Sequence, residues 1–412
     1  MKDLYRFVIT AIITACAAYT TPIGFVTKQG AKLYLNGKEY RAMGVNMPNL
    51  HQSYMGTWFH DREKYGTHEN AKQAMIDGVL DAAKNGVAFM RFFAGPGYPK
   101  DISLLYAKDP ERYWKMMDEV FALCRTNNIR LIPSLGTVTG WYSWCSEPAQ
   151  AILDPSSKTY AATMKYIREF VSRYKDDPTV LMWELENEVM LKADVDVKNR
   201  PLKPKGVYPA DFPNTIRTNG EREDSLTWDM IMRIYKEHTA FIRSIDPNHL
   251  ITSGDSRTRD ECTSRRETFP DFKYRSDTWD ELLANNIASQ SSLDVFSFHQ
   301  YGKPGNLTDE KKYPGWPATS GERCIGLVHA ALASGKPVFI GELGQDTPKH
   351  AEDPGMEWTL RYIDACEKEG APLICLWVWH FVWQSKDFNM TSASHPLIAK
   401  RIAEFNKKYA AQ

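Results

Sequence analysis

Short runs of consecutive apolar residues recur along the chain. Between them lie longer stretches in which apolar positions return every three to four residues. The first pattern predicts strands buried on both faces, the second amphipathic helices. The apolar runs fall near 41–46, 87–93, 129–135, 180–188, 249–253, 295–300, 338–342 and 373–379, and the clearest helical stretches are 113–127 and 157–175. Strands alternating with helices predict a parallel sheet, and this many of them predict an α/β fold of the (β/α)8 TIM-barrel type. Ahead of the first run, Leu33-Tyr34-Leu35 and Tyr40 flank Asn36-Gly37, a tight-turn dipeptide, so a short N-terminal β-hairpin is expected over 25–40. No linker or repeat interrupts 25–412, which reads as one domain.

The segments after the strands are long, and in a barrel these βα loops build the active face. The first carries His51, Tyr54, Trp58, His60 and His68, and the third carries Trp141, Tyr142 and Trp144. The fourth, 189–224, holds Pro201, Pro204, Pro209 and Pro213, so its middle should be extended. The fifth, 254–293, is long enough for a helix and contains Arg257, Arg259, Arg265 and Arg266; the eighth adds Phe381 and Trp383. Such loops suit the walls of a cleft for an extended ligand.

Composition narrows the partners. Lys and Arg balance Asp and Glu at 51 each, giving a formal net charge of zero without a basic run, which argues against nucleic acid. The histidines are scattered and the cysteines show no CxxC spacing, so neither a metal site nor a cofactor is expected. Cys124, Cys366 and Cys375 sit in apolar stretches and read as buried thiols; Cys145 and Cys262 are the one pair suspected of a disulfide. Residues 1–18 read as an export signal, with Lys2 and Arg6 ahead of the apolar run Phe7 to Ala18. Ile13-Thr14-Ala15-Cys16 fits a lipoprotein box, which would lipidate Cys16 and tether an exported protein to a membrane; simple secretion is the competing reading.

Two strand ends carry the chemistry. Thr179 to Glu188 reads TVLMWELENE, a buried strand closing on Asn187 and Glu188. Alternation puts Glu184, Glu186 and Glu188 on one side and Asn187 on the other, so Asn187 and Glu188 share a pocket only if the strand bends or bulges as it exits. Lys336 to Gly344 reads KPVFIGELG, with Glu342 flanked by Gly341 and Gly344, where a missing side chain permits close approach to the carboxylate. Two carboxylates at the ends of different strands suit glycoside hydrolysis, which needs an acid and a base or nucleophile.

On these motifs the chain resembles glycoside hydrolase family 5, the cellulase and β-mannanase family of retaining (β/α)8-barrel glycosidases. The resemblance implies double displacement, with Glu188 as acid/base and Glu342 as nucleophile. It further implies that Arg91 orients the nucleophile and that Asn187 contacts the sugar 2-hydroxyl. His299 and Tyr301, in FHQYG, would stand beside the reaction centre, and Trp377 (or Trp379) under the reacting sugar. Trp141 and Trp144 are expected to stack on sugar faces. The stretch Leu135-Gly136-Thr137-Val138 lacks the histidine many members carry there, which leaves the mannanase-like branch more open. The expected substrate is thus a neutral β-linked polysaccharide or oligosaccharide, mannan ahead of glucan, with the protein expected to act as a monomer, while the loop arginines leave an acidic polysaccharide open. A barrel that only binds sugar, and a transglycosylase on the same scaffold, are the alternatives.

Overall fold

The computed structural model describes residues 24–56, 66–97, 100–138, 140–195, 225–271, 273–346, 352–354, 356–384 and 388–409. Cys16, Trp58, His60 and the prolines of 201–213 lie outside them. The expected hairpin is present with one strand more: β1 (Val26–Gln29), β2 (Lys32–Leu35) and β3 (Lys38–Glu39) form an antiparallel sheet in that order. Asn36 and Gly37 turn β2 into β3 with φ of 51° and 80°, the positive pair that a two-residue hairpin turn requires.

The eight apolar runs become eight parallel strands: β4 (Ala42–Asn46), β5 (Phe89–Phe93), β6 (Arg130–Ser134), β7 (Met182–Glu184), β8 (Leu250–Thr252), β9 (Phe296–Tyr301), β10 (Val338–Gly344) and β11 (Leu373–Leu376). They pair in the order β8-β7-β6-β5-β4-β11-β10-β9. A parallel bridge from Thr252 to Val295 joins the two edges and closes the barrel. Val26 and Leu33 of the small sheet share a buried cluster with Ala42, Phe89, Leu373 and other residues from the starts of the barrel strands, so this sheet stoppers the bottom. Arg130 Nη1 donates to Gly24 O at 2.9 Å and helps hold it there.

The two clearest helices form as Pro110–Thr126 and Lys158–Tyr174. The first starts on a proline, whose missing N–H costs nothing at that position, with Asp109 as its cap. The second is capped by Ser157, whose hydroxyl accepts from Tyr160 N at 2.9 Å. The fifth βα loop does hold a helix, Cys262–Glu267. Cys124, Cys366 and Cys375 are buried free thiols, but Cys145 and Cys262 are free as well, so the suspected disulfide does not form in this structure. Among the described residues no helix is long and apolar enough to cross a membrane.

Candidate active site

The site is organised around Arg91, which is fully buried in the third position of β5. A guanidinium has five N–H donors in a fixed fork, and here each has an acceptor. Nε and Nη2 donate to the two oxygens of Glu184 at 2.7 and 2.8 Å. Nη1 donates to Asn46 Oδ1 and to Glu342 Oε1, both at 2.9 Å. Nη2 also donates to Asn187 Oδ1 at 2.7 Å. The strand register makes this possible, since Asn46 of β4 pairs directly with Arg91. Two carboxylates hold the arginine firmly charged, raising its pKa above an already high value in spite of burial.

Glu342 reaches the site through a bulge. The pairing of β10 with β9 slips between Ile340 and Glu342, and its pairing with β11 slips between Ile340 and Leu343. The extra residue turns the Glu342 carboxylate toward the barrel mouth. The two flanking glycines make room, but for neighbouring side chains. A Cβ on Gly341 would lie 2.9 Å from His299 Nε2, and one on Gly344 would lie 2.8 Å from Tyr301 Cε1. Tyr301 is partly exposed as a residue, while its hydroxyl points inward and donates to Glu342 Oε2. Burial, then the Glu342 charge, push that phenol well above its ordinary pKa, so it stays a donor.

Glu188 arrives differently. The β7 ladder ends at Glu184, short of the expected 188, although the N–H groups of Glu186 and Glu188 still reach Ser253 O and Gly254 O at 3.1 Å each. Glu188 then adopts a left-handed conformation with φ of 54°, which costs a non-glycine residue of order 1 kcal/mol or more. That reversal, rather than a bulge in the strand, lets Asn187 and Glu188 address one pocket. Glu186 locks the approach: its carboxylate accepts from Val138 N and Asn187 N, both at 3.0 Å. Gly254 is obligatory beneath it, because a Cβ there would sit 2.0 Å from Glu186 O.

His299 lies between the two acids. Its Nδ1 is 2.9 Å from Glu188 Oε1 and 3.5 Å from Glu342 Oε2. One atom from each of Glu188, His299 and Glu342 falls within 4.8 Å of the others. Two carboxylates and an imidazole can also converge on a cation, but both oxygens of Glu342 are already engaged by Arg91 and Tyr301. The two carboxyls differ in access, with side-chain exposures of 32% for Glu188 and 6% for Glu342.

Trp377 borders this cluster. Its backbone N–H donates to Leu343 O at 2.9 Å and its ring packs against Phe93 at 6.3 Å. Trp379, the other candidate, is fully buried and donates to Gly78 O. Trp141 needs correction as a sugar platform. The short helix Trp141–Cys145 turns its indole inward against Tyr106 and Tyr166, where it is fully buried and donates to Gly136 O at 2.8 Å. Trp144 lies half-buried beside it. Sequence reasoning missed Glu184 and Asn46, which fix Arg91. The signal is the run of alternate glutamates that begins at the end of β7 and continues past it, Glu184, Glu186 and Glu188.

The profile of the cellulase family, glycosyl hydrolase family 5, matches residues 36–381. The chain belongs to glycosyl hydrolase family 5. Among curated relatives, mannan endo-1,4-beta-mannosidase 2 of Arabidopsis thaliana is 23% identical over 303 residues, covering 68% of this chain and 59% of that protein. Mannan endo-1,4-beta-mannosidase 1 of Solanum lycopersicum is 23% identical over 389 residues, covering 87% of this chain and 84% of its own length. The match thus spans less than two thirds of the Arabidopsis relative. Among solved structures, the endo-1,4-beta-mannanase of Rhizomucor miehei aligns over 94% of this chain and 100% of that one, with a TM-score of 0.58 and 17% identity, a likeness of fold.

Proposed function

We propose that this family 5 protein is a retaining glycoside hydrolase acting on a β-linked polysaccharide or oligosaccharide, with β-mannan favoured over β-glucan. Glu342 is the nucleophile and Glu188 the acid/base. The observation that carries this reading is that one carboxylate oxygen of Glu188 and one of Glu342 lie within 4.8 Å of each other. Retaining enzymes hold their carboxyls about 5–5.5 Å apart, whereas inverting ones need about 6.5–9.5 Å to seat a water. The difference in access supports the division of roles. Glu342, buried and held in place by Arg91 and Tyr301, is positioned to attack the anomeric carbon. Glu188, open on one side and in contact with His299, can protonate the leaving oxygen and then take a proton from the incoming water. Asn187, tethered by Arg91, would meet the 2-hydroxyl, and Trp377 would lie under the sugar. The mannan preference rests on the named relatives.

Azide tests the roles. With Glu342→Ala, azide should restore turnover and yield the inverted glycosyl azide; with Glu188→Ala, on a substrate whose leaving group needs no proton, it should yield the retained one. The same anomer from both variants would overturn the division. Substrate preference is read from reducing ends released from β-mannan, β-glucan and xylan. We also propose export through residues 1–18 with lipidation at Cys16, which mass spectrometry of the mature N-terminus tests: an unmodified start at Ala18 would mean plain secretion.

A further inference from the structure

Next to the acid/base, a cavity of about 460 Å³ runs outward between the loops that follow β8 and β9. Glu188, His299 and Tyr301 stand at its inner end, while Arg257, Arg259, Lys312 and Arg323 line its walls. Because it opens from Glu188 rather than Glu342, it lies on the side where the leaving group departs.

The acids on these walls are already committed. Asp260 pairs with Arg257 at 3.1 Å and accepts from Tyr313 OH at 2.9 Å. Glu261 faces Arg265 at 3.7 Å. Arg259 and Arg323 have no carboxylate partner among the described residues. Arg259 spends only Nε, on Leu191 O at 2.8 Å. Arg323 donates from Nη2 to Ser320 Oγ at 2.7 Å, and its Nε is buried with no acceptor. Burial and a like-charged neighbour, Arg265 for the one and Arg257 for the other, pull both guanidiniums below their ordinary pKa. A buried donor without an acceptor is unfavourable until something fills the site. The hydroxyls of a neutral sugar can accept from a guanidinium but do not compensate its charge. A planar fork is matched by an oxyanion.

We infer that the leaving-group side of this site binds a sugar bearing an oxyanion, a uronate carboxylate or a sulfate ester, held by Arg259 and Arg323. This deepens the glycosidase reading and rests on it. The substrate is then a β-linked chain with acidic residues or branches, neutral at the reacting sugar and charged beyond it.

The test compares β-linked oligosaccharides alike except at the leaving-group side. One bears a uronic acid, a second has that carboxyl reduced to a primary alcohol, and a third has a sulfate ester. The unmodified enzyme should cleave a charged member with kcat/KM about tenfold to a hundredfold above the reduced one, the contribution of one or two charge-assisted hydrogen bonds. Preference between the charged members tells carboxylate from sulfate. Arg259→Gln and Arg323→Gln should each remove most of that advantage while leaving the reduced member within about twofold. Equal kcat/KM for all three, or equal losses on all three in the variants, would overturn the inference and leave the glycosidase reading intact. If nothing is cleaved, β-mannan and β-glucan included, the glycosidase reading fails instead. Calorimetry of the charged and reduced oligosaccharides then still decides the inference, supporting it if the charged one binds tighter and refuting it if they bind alike.

Discussion

Removing the Glu184 charge should damage the protein in two separable ways. Glu184 supplies two of the five acceptors around Arg91 and is itself fully buried. Glu184→Gln keeps the shape and one acceptor oxygen but sets an amide N–H₂ against the second guanidinium N–H. Breaking a buried ion pair by removing one partner costs about 3–5 kcal/mol, and the retained acceptor favours the lower end. Unfolding entropy of about 2.1 cal/mol/K per residue over roughly 390 residues is about 0.8 kcal/mol/K, so a ~3 kcal/mol loss lowers Tm by ~4 °C. The second effect is catalytic. An Arg91 no longer braced from behind loosens its hydrogen bond to Glu342, a charge-assisted bond of ~1.5–3 kcal/mol, or roughly 10- to 150-fold in the step where Glu342 reacts. KM should change little, because Glu184 sits behind Arg91 and does not reach the sugar. Calorimetric melting together with steady-state kinetics reads both. A Tm within about 1 °C of the unmodified protein with kcat intact would show that Glu184 does not hold Arg91 in place.

Two further predictions concern the tryptophans and an aspartate. Trp141→Ala should destabilise by about 3–5 kcal/mol in thermal unfolding and affect substrates of every length alike, whereas Trp377→Ala, which also empties a buried cluster, should lower Tm and in addition raise KM. A length-dependent KM effect at Trp141 would mean its indole does reach sugar. Buried Asp255 accepts from Met190 N and Tyr235 OH, yet burial outweighs these bonds and pushes its pKa from 3.8 up to about 6. The folded form therefore holds this proton more tightly than the unfolded chain. Stability contributed here falls as pH rises from about 4 to about 6, by ~3 kcal/mol at most, and levels off above. Urea unfolding across that range should show the slope, and Asp255→Asn should flatten it; an unchanged slope would refute the assignment.

The barrel was legible because each strand is an apolar run bounded by turn residues, and the order of runs and helices leaves few ways to close a parallel sheet. The strand ends were less so. TVLMWELENE reads as a strand to its last residue, but the ladder stops at Glu184, and a left-handed backbone, which the letters do not signal, places the Glu188 proposed as acid/base. The bulge lay instead in β10, where the paired glycines had suggested open space for a ligand and in fact admit His299 and Tyr301. Glu184 could not be assigned because its partner is 93 residues away, and an acidic strand end is ambiguous until that partner is placed. Trp141 failed for a similar reason. An aromatic loop looks the same in sequence whether its rings face a cleft or, as here, the ring of Tyr166 on the next helix.

The most direct measurement is the configuration of the first product. Proton NMR of a β-linked oligosaccharide during early turnover resolves the newly released anomer before mutarotation mixes it. Double displacement through Glu342 predicts that the β-anomer appears first and the α-anomer only as mutarotation proceeds. If the α-anomer appears first, then the covalent role of Glu342, and with it the mechanism proposed here, is wrong.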